Sequence, residues 1–409
     1  MTSRHPCYSS GAQGRFARIH LPVAPACNIS CNYCNRKYDC VNESRPGVTS
    51  EVLTPQEAAD KFIRVKFEMP NLSVAGIAGP GDALANWDAV KKTVALIKRQ
   101  ASDVMFCLST NGLMLPEYAP EIVGLGIKHV TVTVNCLNAA IGAQIYRHVV
   151  LDGVCLTGEQ GAKILIRRQM EGIEYLSARG VLVKVNIVMI DGINSSHITE
   201  VVKKVKRLGA FMTNIMPLIP APGSAFQNYP QTSMKDINAM REICEPDIPQ
   251  MRHCRQCRAD AVGLLSDDQS HRFRKEAPAK DNPEPSKAKT YRVAVTSKHR
   301  KLIDTHYGHA GEFHIYEVKG RDIAFIETRS AKKYCTGAEC DQDDIREQTI
   351  KTIADCDAVL TMRAGYDAQK RLAANGLRCI ESCTGIEEGL MDVPVRMEES
   401  VEVLSLPGK

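Results

Sequence analysis

The chain has little that would place it in a membrane or on a nucleic acid. Within its 409 residues there is no apolar run of about 18, so no membrane-spanning helix is expected. The first ten residues, with Arg4, His5 and Pro6, lack the apolar stretch of a secretory signal, and a cytoplasmic protein is expected. Aromatic residues make up only 5%, with a single Trp, too few rings for base-stacking platforms. A formal net charge of +5 is small for this length, so neither nucleic acid nor membrane is expected as a partner.

What the chain has in excess is cysteine, 16 residues of it. Reducing compartments keep thiols free, so the excess points to metal or redox chemistry rather than to a disulfide framework. Hydrophobic residues at 44% and charged residues at 24% are ordinary for a globular chain with a buried core, and the length predicts two or three domains.

Between about residues 15 and 220, short apolar segments alternate with amphipathic ones. Strands are predicted at 18–23, 72–77, 104–109, 129–135, 182–190 and 211–218, and helices at 55–68, 88–99, 116–124, 158–179 and 198–208. This alternation predicts parallel strands with helical crossovers, and periodicity alone leaves an open sheet and a partial barrel both open. Residues 266–290 change character: they carry Pro278, Pro283, Pro285 and many charges, with Phe273 the only large apolar residue, and read as a flexible linker. Beyond it, strands at 291–296, 313–318 and 358–362 and helices at 345–354 and 366–374 predict a second compact α/β domain. The expected division is therefore 1–265, 266–290 and 291–409.

The strongest chemical signal is Cys27-x-x-x-Cys31-x-x-Cys34, in the loop after the first predicted strand. Three thiolates in one loop can each reach a different iron of a four-iron, four-sulfur cubane and leave the fourth iron open to a ligand; a zinc knuckle is the alternative. In this position the triplet resembles the hallmark of the radical S-adenosylmethionine superfamily. That resemblance implies a cluster whose open iron chelates S-adenosylmethionine and reduces it to a 5′-deoxyadenosyl radical. The family's glycine-rich turn after the second strand is matched by Gly76-Ile-Ala-Gly79-Pro-Gly81-Asp82, where glycines permit close backbone approach and Asp82 offers charge to an ammonium. On the fourth predicted strand Thr131, Thr133 and Asn135 alternate with valines, so they share one face. That face is expected to line a cavity, with a half-exposed edge strand as the bland alternative. On the fifth, Val185 and Asn186 are candidates for contact with adenine or ribose.

Further thiols exceed what one cluster needs. Cys40 follows the triplet, His20 lies on the first predicted strand and Cys107 on the third, and such strands can project into one cavity. Two thiolates and an imidazole would hold a second cluster, although a lone strand histidine is more often a core or surface residue. Cys254-Arg-Gln-Cys257 sits among cations that favour thiolates; it reads as cluster ligands, a redox dithiol or half of a zinc site with Cys244. Cys7, after His5-Pro6, is an orphan thiol that could complete three ligands with that pair.

Together with Ile19-His20-Leu21-Pro22, Asn35-Arg36-Lys37-Tyr38-Asp39-Cys40 and Glu43-Ser44-Arg45-Pro46-Gly47, these groups resemble the NifB family over residues 5–265. These are the radical S-adenosylmethionine enzymes of nitrogenase cofactor assembly. The resemblance implies a partial (β/α)6 barrel and three four-iron clusters: one on Cys27, Cys31 and Cys34, one substrate cluster on His20, Cys40 and Cys107, and another on Cys7, Cys254 and Cys257. It implies methyl transfer from S-adenosylmethionine, radical hydrogen abstraction, carbide insertion and fusion of the substrate clusters into an eight-iron, nine-sulfur, carbide-centred precursor, the extra sulfur coming from outside. Glu43, near Cys40, is a candidate to handle protons or a partner of Arg45. Implied partners are a NifEN-like scaffold, a NifX-like carrier, an iron–sulfur cluster donor and an electron donor. Two other readings stand beside this one: a radical enzyme with auxiliary clusters acting on a peptide or other organic substrate, and a non-catalytic cluster scaffold or carrier.

Residues 291–409 resemble the NifX-like cofactor-binding domain through Asp304-Thr-His306-Tyr-Gly-His309-Ala310 and Phe313-His-Ile-Tyr-Glu-Val318. This implies a ribonuclease-H-like α/β fold that binds or passes on the finished cluster, with His306, His309, Cys335 and Cys340 as transient ligands. Cys136, Cys155, Cys244, Cys356, Cys379 and Cys383 are assigned to structure.

Overall fold

Alternating strands and helices build a large sheet, with a small one beside it, in the first part of the chain. In the computed structural model their strands are β1 (Ala17–His20), β2 (Ile29–Cys31), β3 (Leu72–Ile77), β4 (Met105–Thr110), β5 (His129–Thr133), β6 (Tyr146–Leu151), β7 (Val154–Leu156), β8 (Leu182–Met189), β9 (Met212–Pro217), β10 (Val262–Leu264) and β11 (Asp267–Asp268). The helices are α1 (Pro55–Glu68), α2 (Trp87–Gln100), α3 (Leu115–Gly124), α4 (Ala139–Ile145), α5 (Gly158–Ser177), α6 (Ile198–Arg207) and α7 (Met234–Cys244). The structure describes residues 2–42, 49, 51–221, 223–273, 289–297, 300, 302–320, 322–333, 343–382 and 385–398.

The large sheet has the order β11-β10-β1-β3-β4-β5-β8-β9, and the run from β1 to β9 is parallel throughout. One face carries Ile19, Ala75, Ile77, Phe106, Leu108, Val130, Val132, Val183, Val185 and Ile187 into a continuous apolar core. Buried residues of six helices, among them Phe62, Val94, Ile122, Ile173, Val201 and Ile237, pack into that same core. Helices on one face of a parallel run leave the other face to curve inward, which decides for the partial barrel. Alternation then sends Arg18, His20, Cys107, Ser109, His129, Thr131, Thr133, Lys184, Asn186 and Asn214 to the inner face. Helix α1 starts where the sequence directs it: Thr54 caps the N-terminus in a box with Glu57, and Pro55 takes the first helical position, where no amide donor is needed.

Three features depart from the expected pattern. A second sheet, β2-β6-β7, joins the cysteine loop to a hairpin through Ile29↔Val149 and Ser30↔His148 pairs. Strands β10 and β11 add an antiparallel edge to β1. Residues 267–273, which composition assigns to the linker, are folded: Asp268 accepts the Val262 and Ser270 amides at 3.2 and 3.0 Å, and Phe273 is buried in the apolar core. The first compact unit accordingly runs Met1–Glu276 and the second Ala277–Lys409.

The second unit holds β12 (Thr290–Val295), β13 (Glu312–Lys319), β14 (Asp322–Ser330), β15 (Ala358–Thr361) and β16 (Arg378–Glu381), with helices α8 (Asp343–Lys351) and α9 (Tyr366–Ala374) between its later strands. The order is β14-β13-β12-β15-β16, with an antiparallel three-strand meander followed by two parallel strands. This is the small ribonuclease-H-like α/β domain. Among the described residues no helix is long and apolar enough to cross a membrane.

Candidate functional site

The cysteine triplet lies between β1 and α1, and β2 pins its middle to β6. Cys31 is buried against Tyr33, Val41 and Val149, while Cys27 and Cys34 pack partly exposed on the same cluster. All three line one narrow cleft with Arg36, Cys40, Asn42, Gly81, Asp82, Ser109, Thr110, Asn111 and Thr133. It opens beside the C-terminal ends of β4 and β5, where parallel α/β sheets place their ligands.

Amide donors face the sulfurs: Asn42 Nδ2 is 3.8 Å from Cys31 Sγ, and Asn111 Nδ2 is 3.9 Å from Cys27 Sγ. Asn42 is itself held by the Tyr33 hydroxyl, which donates to Asn42 Oδ1 at 2.5 Å and accepts from Asn135 Nδ2 at 2.8 Å. Burial pushes the Cys27 thiol up to about 11 and raises Cys31 and Cys34 as well, with Arg36 opposing the rise at Cys34. Buried thiols held next to N–H donors suit a metal partner that replaces their protons, and those donors then stabilise the sulfur charge.

The glycine turn packs directly on the cysteine loop and lines the cleft with it. A Cβ on Gly81 would lie 2.1 Å from the Ala26 carbonyl oxygen, so glycine is required for the turn to approach the cysteine loop itself. The Gly81 and Asp82 amides donate to the Ala24 and Ala26 carbonyls at 2.6 and 2.8 Å. Gly79 has φ +137°, a conformation open to glycine. Asp82 reaches the cleft wall, but its carboxylate accepts four hydrogen bonds, from the Leu84, Ala85 and Asn111 amides and the Thr110 hydroxyl. Three of these bonds fall on Oδ1 and one on Oδ2, so the carboxylate caps the turn and joins two loops while Oδ2 keeps acceptor capacity on the cleft wall.

Thr133 lines the cleft. Asn135 is fully buried, with Oδ1 accepting the Val188 amide at 2.9 Å, so it holds strands and Tyr33. Asn186 faces inward and donates to the Asn42 carbonyl at 2.9 Å. The Val185 side chain lies on the opposite face in the apolar core, so only its backbone is on hand for a contact with adenine or ribose.

The ladder places His20, Gly76, Cys107 and His129 side by side across β1, β3, β4 and β5. Because Gly76 has no side chain, His20 and Cys107 converge over it: a Cβ there would meet His20 Cδ2 at 3.0 Å and Cys107 Sγ at 3.1 Å. His20 Nδ1 is 2.9 Å from the Arg258 carbonyl, an acceptor, so Nδ1 carries the proton and Nε2 keeps its lone pair. Burial first, and then Arg18, push the imidazole down to about 4, which keeps it neutral. Cys40 lines the first cleft, and its neighbour Asp39 accepts the Ala259 amide at 3.3 Å, so the Cys40 loop and His20 are anchored on one segment.

The third expected group is Cys7, Cys254 and Cys257. Cys7 and Cys254 pack on the cluster of Tyr8, Met212 and Met251; His253 Nε2 lies 3.0 Å from the Pro6 carbonyl; and Arg18 Nη2 donates to Cys257 Sγ at 3.2 Å. Burial pushes the Cys7 thiol up to about 11 against the pull of Lys184. Among the described residues no three His, Cys, Asp or Glu side chains converge on a single metal ion. Ligands of a cubane bind different irons and need no such convergence.

Glu43, Cys335, Cys340 and Cys383 lie outside the described residues. In the second unit the His306 and His309 rings are 5.1 Å apart, and burial pushes His306 down to about 4. Sequence reasoning passed over Tyr33, Asn42 and Asn111. Asn111 was within reach, since Ser109-Thr110-Asn111-Gly112 is a polar run at the C-terminal end of a predicted strand.

Residues 21–205 match the Radical SAM superfamily, and residues 289–393 match the family described as dinitrogenase iron-molybdenum cofactor. A protein of Klebsiella pneumoniae named FeMo cofactor biosynthesis protein NifB is 42% identical, over 92% of this chain and 87% of its own. Proteins of the same name from Bradyrhizobium diazoefficiens and Herbaspirillum seropedicae are 43% and 44% identical, each over 92% of this chain and over 83% and 79% of their own.

Proposed function

The chain belongs to the family of FeMo cofactor biosynthesis proteins NifB, and from that premise we propose that it builds the carbide-centred precursor of the nitrogenase cofactor. It is a radical S-adenosylmethionine enzyme. In the proposed reaction S-adenosylmethionine supplies the carbon, and two four-iron, four-sulfur clusters, held as substrates, are fused around it with one further sulfur from outside into the eight-iron, nine-sulfur product. The observation that carries this reading is that one unit holds candidate ligands beyond the triplet, His20 with Cys107 over Gly76 and Cys7 with Cys254 on one packing cluster, where cleavage of S-adenosylmethionine alone needs one cluster.

A four-iron cluster on Cys27, Cys31 and Cys34 would supply one-electron reduction of a sulfonium. The chain's own part is positional. Asn42 and Asn111 present N–H groups to the thiol sulfurs, and Tyr33 with Asn135 ties that arrangement to the inner sheet face. Thr133 and Asn111 offer polar contacts on the cleft wall to the adenosine moiety. On the substrate side, neutral His20 offers Nε2 beside Cys107; imidazole holds iron less firmly than thiolate, as suits a cluster that must later leave. Cys40 would complete that set, and Cys7, Cys254 and Cys257 would hold the other substrate cluster. The second unit would receive the product and pass it to a scaffold or carrier of cofactor assembly in the cytoplasm, with a cluster donor and an electron donor upstream.

The test is carbon tracing under anaerobic, reducing conditions. S-adenosylmethionine labelled in its methyl group is expected to yield an iron–sulfur product that retains the label, with 5′-deoxyadenosine released. Label recovered only in a peptide or small organic product would refute the reading.

A further inference from the structure

The N-terminal halves of β5 and β8 carry polar groups that lie beside the expected ligand sets without belonging to them. His129 opens β5 and is 1% exposed, yet neither ring nitrogen has a hydrogen-bond partner among the described residues. His5, equally buried, has its ring centre 4.5 Å from that of His129. Its Nδ1 accepts the Cys7 amide N–H at 3.2 Å, which places the proton on Nε2; that donor is also buried without an acceptor. Lys184 is 7% exposed, with Nζ 3.9 Å from Met251 Sδ and 5.3 Å from the centre of the Tyr8 ring. A thioether and a ring face are weak partners for an ammonium, and among the described residues no carboxylate pairs with it.

A buried donor without an acceptor costs about 1–3 kcal/mol, and a buried unpaired charge costs more. Several such donors gathered with no carboxylate among them are what an anion requires. The site adjoins both proposed substrate positions: His129 is the ladder neighbour of Cys107, and His5 bonds the Cys7 amide. Tyr8, 4.6 Å from His5 and 4.8 Å from His129, and Met251 give it polarisable, weakly hydrating walls. Such walls suit a soft anion better than a strongly hydrated one. Two four-iron cubanes contribute eight sulfides to a product that has nine.

We propose that His5, His129 and Lys184 bind a small sulfur anion, hydrosulfide being the simplest, next to the substrate clusters. The choice of sulfur rests on the function proposed above, whereas the anion site rests on the side chains alone. Ordered water would also satisfy these nitrogens, and the experiment separates the two.

Crystals of the full-length, cluster-loaded protein without S-adenosylmethionine are soaked in hydroselenide, and a parallel set in bromide, and anomalous difference maps are recorded at each element's edge. A selenium peak within hydrogen-bond reach of His5 Nε2, the His129 ring and Lys184 Nζ is expected. In Lys184→Met and His129→Phe the occupancy there should fall about tenfold or more. Selenium confined to cluster sulfide positions, or density at the site that fits water alone, would overturn the proposal; bromide bound there without selenium would overturn the assignment to sulfur. The wild-type map decides even where a variant fails to fold. Binding is read without turnover, so a negative carbon-tracing result leaves this one standing, and the reverse.

Discussion

Cys31 and His20 serve different groups, and their loss should be separable. Cys31→Ala is expected to abolish both 5′-deoxyadenosine release and labelled product, because it empties one position of the triplet. His20→Ala should spare cleavage of S-adenosylmethionine while reducing fused-cluster yield about tenfold or more, the usual cost of an orienting metal ligand. Chromatography of deoxyadenosine beside product counting checks both; equal loss of cleavage in the two variants, with the triplet's iron intact, would contradict the division. A second residue-scale expectation concerns Asp355. Hydrogen bonds from Arg329, with Arg292 behind it, hold the Asp355 carboxyl well below the usual carboxylate range. Its folded value lies below its unfolded one, so the link stabilises the second unit above about pH 4 and is lost as the pH falls further. Asp355→Asn should therefore lower stability near neutrality by about 0.5–1 kcal/mol, since the group is half exposed, and the gap should close toward about pH 2. Denaturation curves across that range measure it. Single residues were legible where the signal is local. The triplet and the His20–Cys107 pair could be read from spacing and strand position, but the bonds by which Asp82 ties its turn to the Thr110 and Asn111 loop, 28 and 29 positions away, follow from no local pattern.

At the scale of elements, the strands and helices of the β/α run lay close to their expected places because each has a long apolar face with one period. The β6–β7 hairpin did not, although Asp152-Gly153 between alternating residues is a hairpin signal. Its strands are only half buried, so they lack the continuous apolar run that marked the others. Both turn residues have positive φ, 51° and 77°. Replacing Gly153 by Val forces a branched side chain into that conformation and should cost about 1–2 kcal/mol. Because β6 pairs with β2, the strain should also reach the triplet: a lower melting temperature and less iron retained after gel filtration are expected, whereas Gly153→Asn should behave almost as wild type. Equal iron retention in Gly153→Val despite a lower melting temperature would show that the hairpin is not what holds the cysteine loop.

For the whole molecule, the boundary between units carries the test. Composition places it at residue 265, because charge and proline dominate residues 266–290; contacts place it later, because Phe273 enters the core and Asp268 bonds the β10 edge. A chain ending at 276 is expected to stay soluble and to keep all three ligand groups. A chain ending at 265 loses β11 and Phe273, whose removal from a core costs about 3–5 kcal/mol, and should aggregate or melt far lower. Iron content and melting temperature of the two truncations decide it, and equal behaviour would mean that residues 266–276 contribute nothing to the fold.

The segment from His253 to Asp260 meets several parts of the site at once. His253 bonds the Pro6 carbonyl beside Cys7, Cys254 and Cys257 come next, the Arg258 carbonyl orients His20, and the Ala259 amide holds Asp39 next to Cys40. Eight consecutive residues thus set the spacing between two pockets, as the rail of a gauge sets the distance between wheels. Loops elsewhere in the chain can lengthen at small entropic cost. An insertion between Cys257 and Arg258 would shift one pocket against the other by a residue's length, so this stretch tolerates changes of side chain far more readily than changes of length.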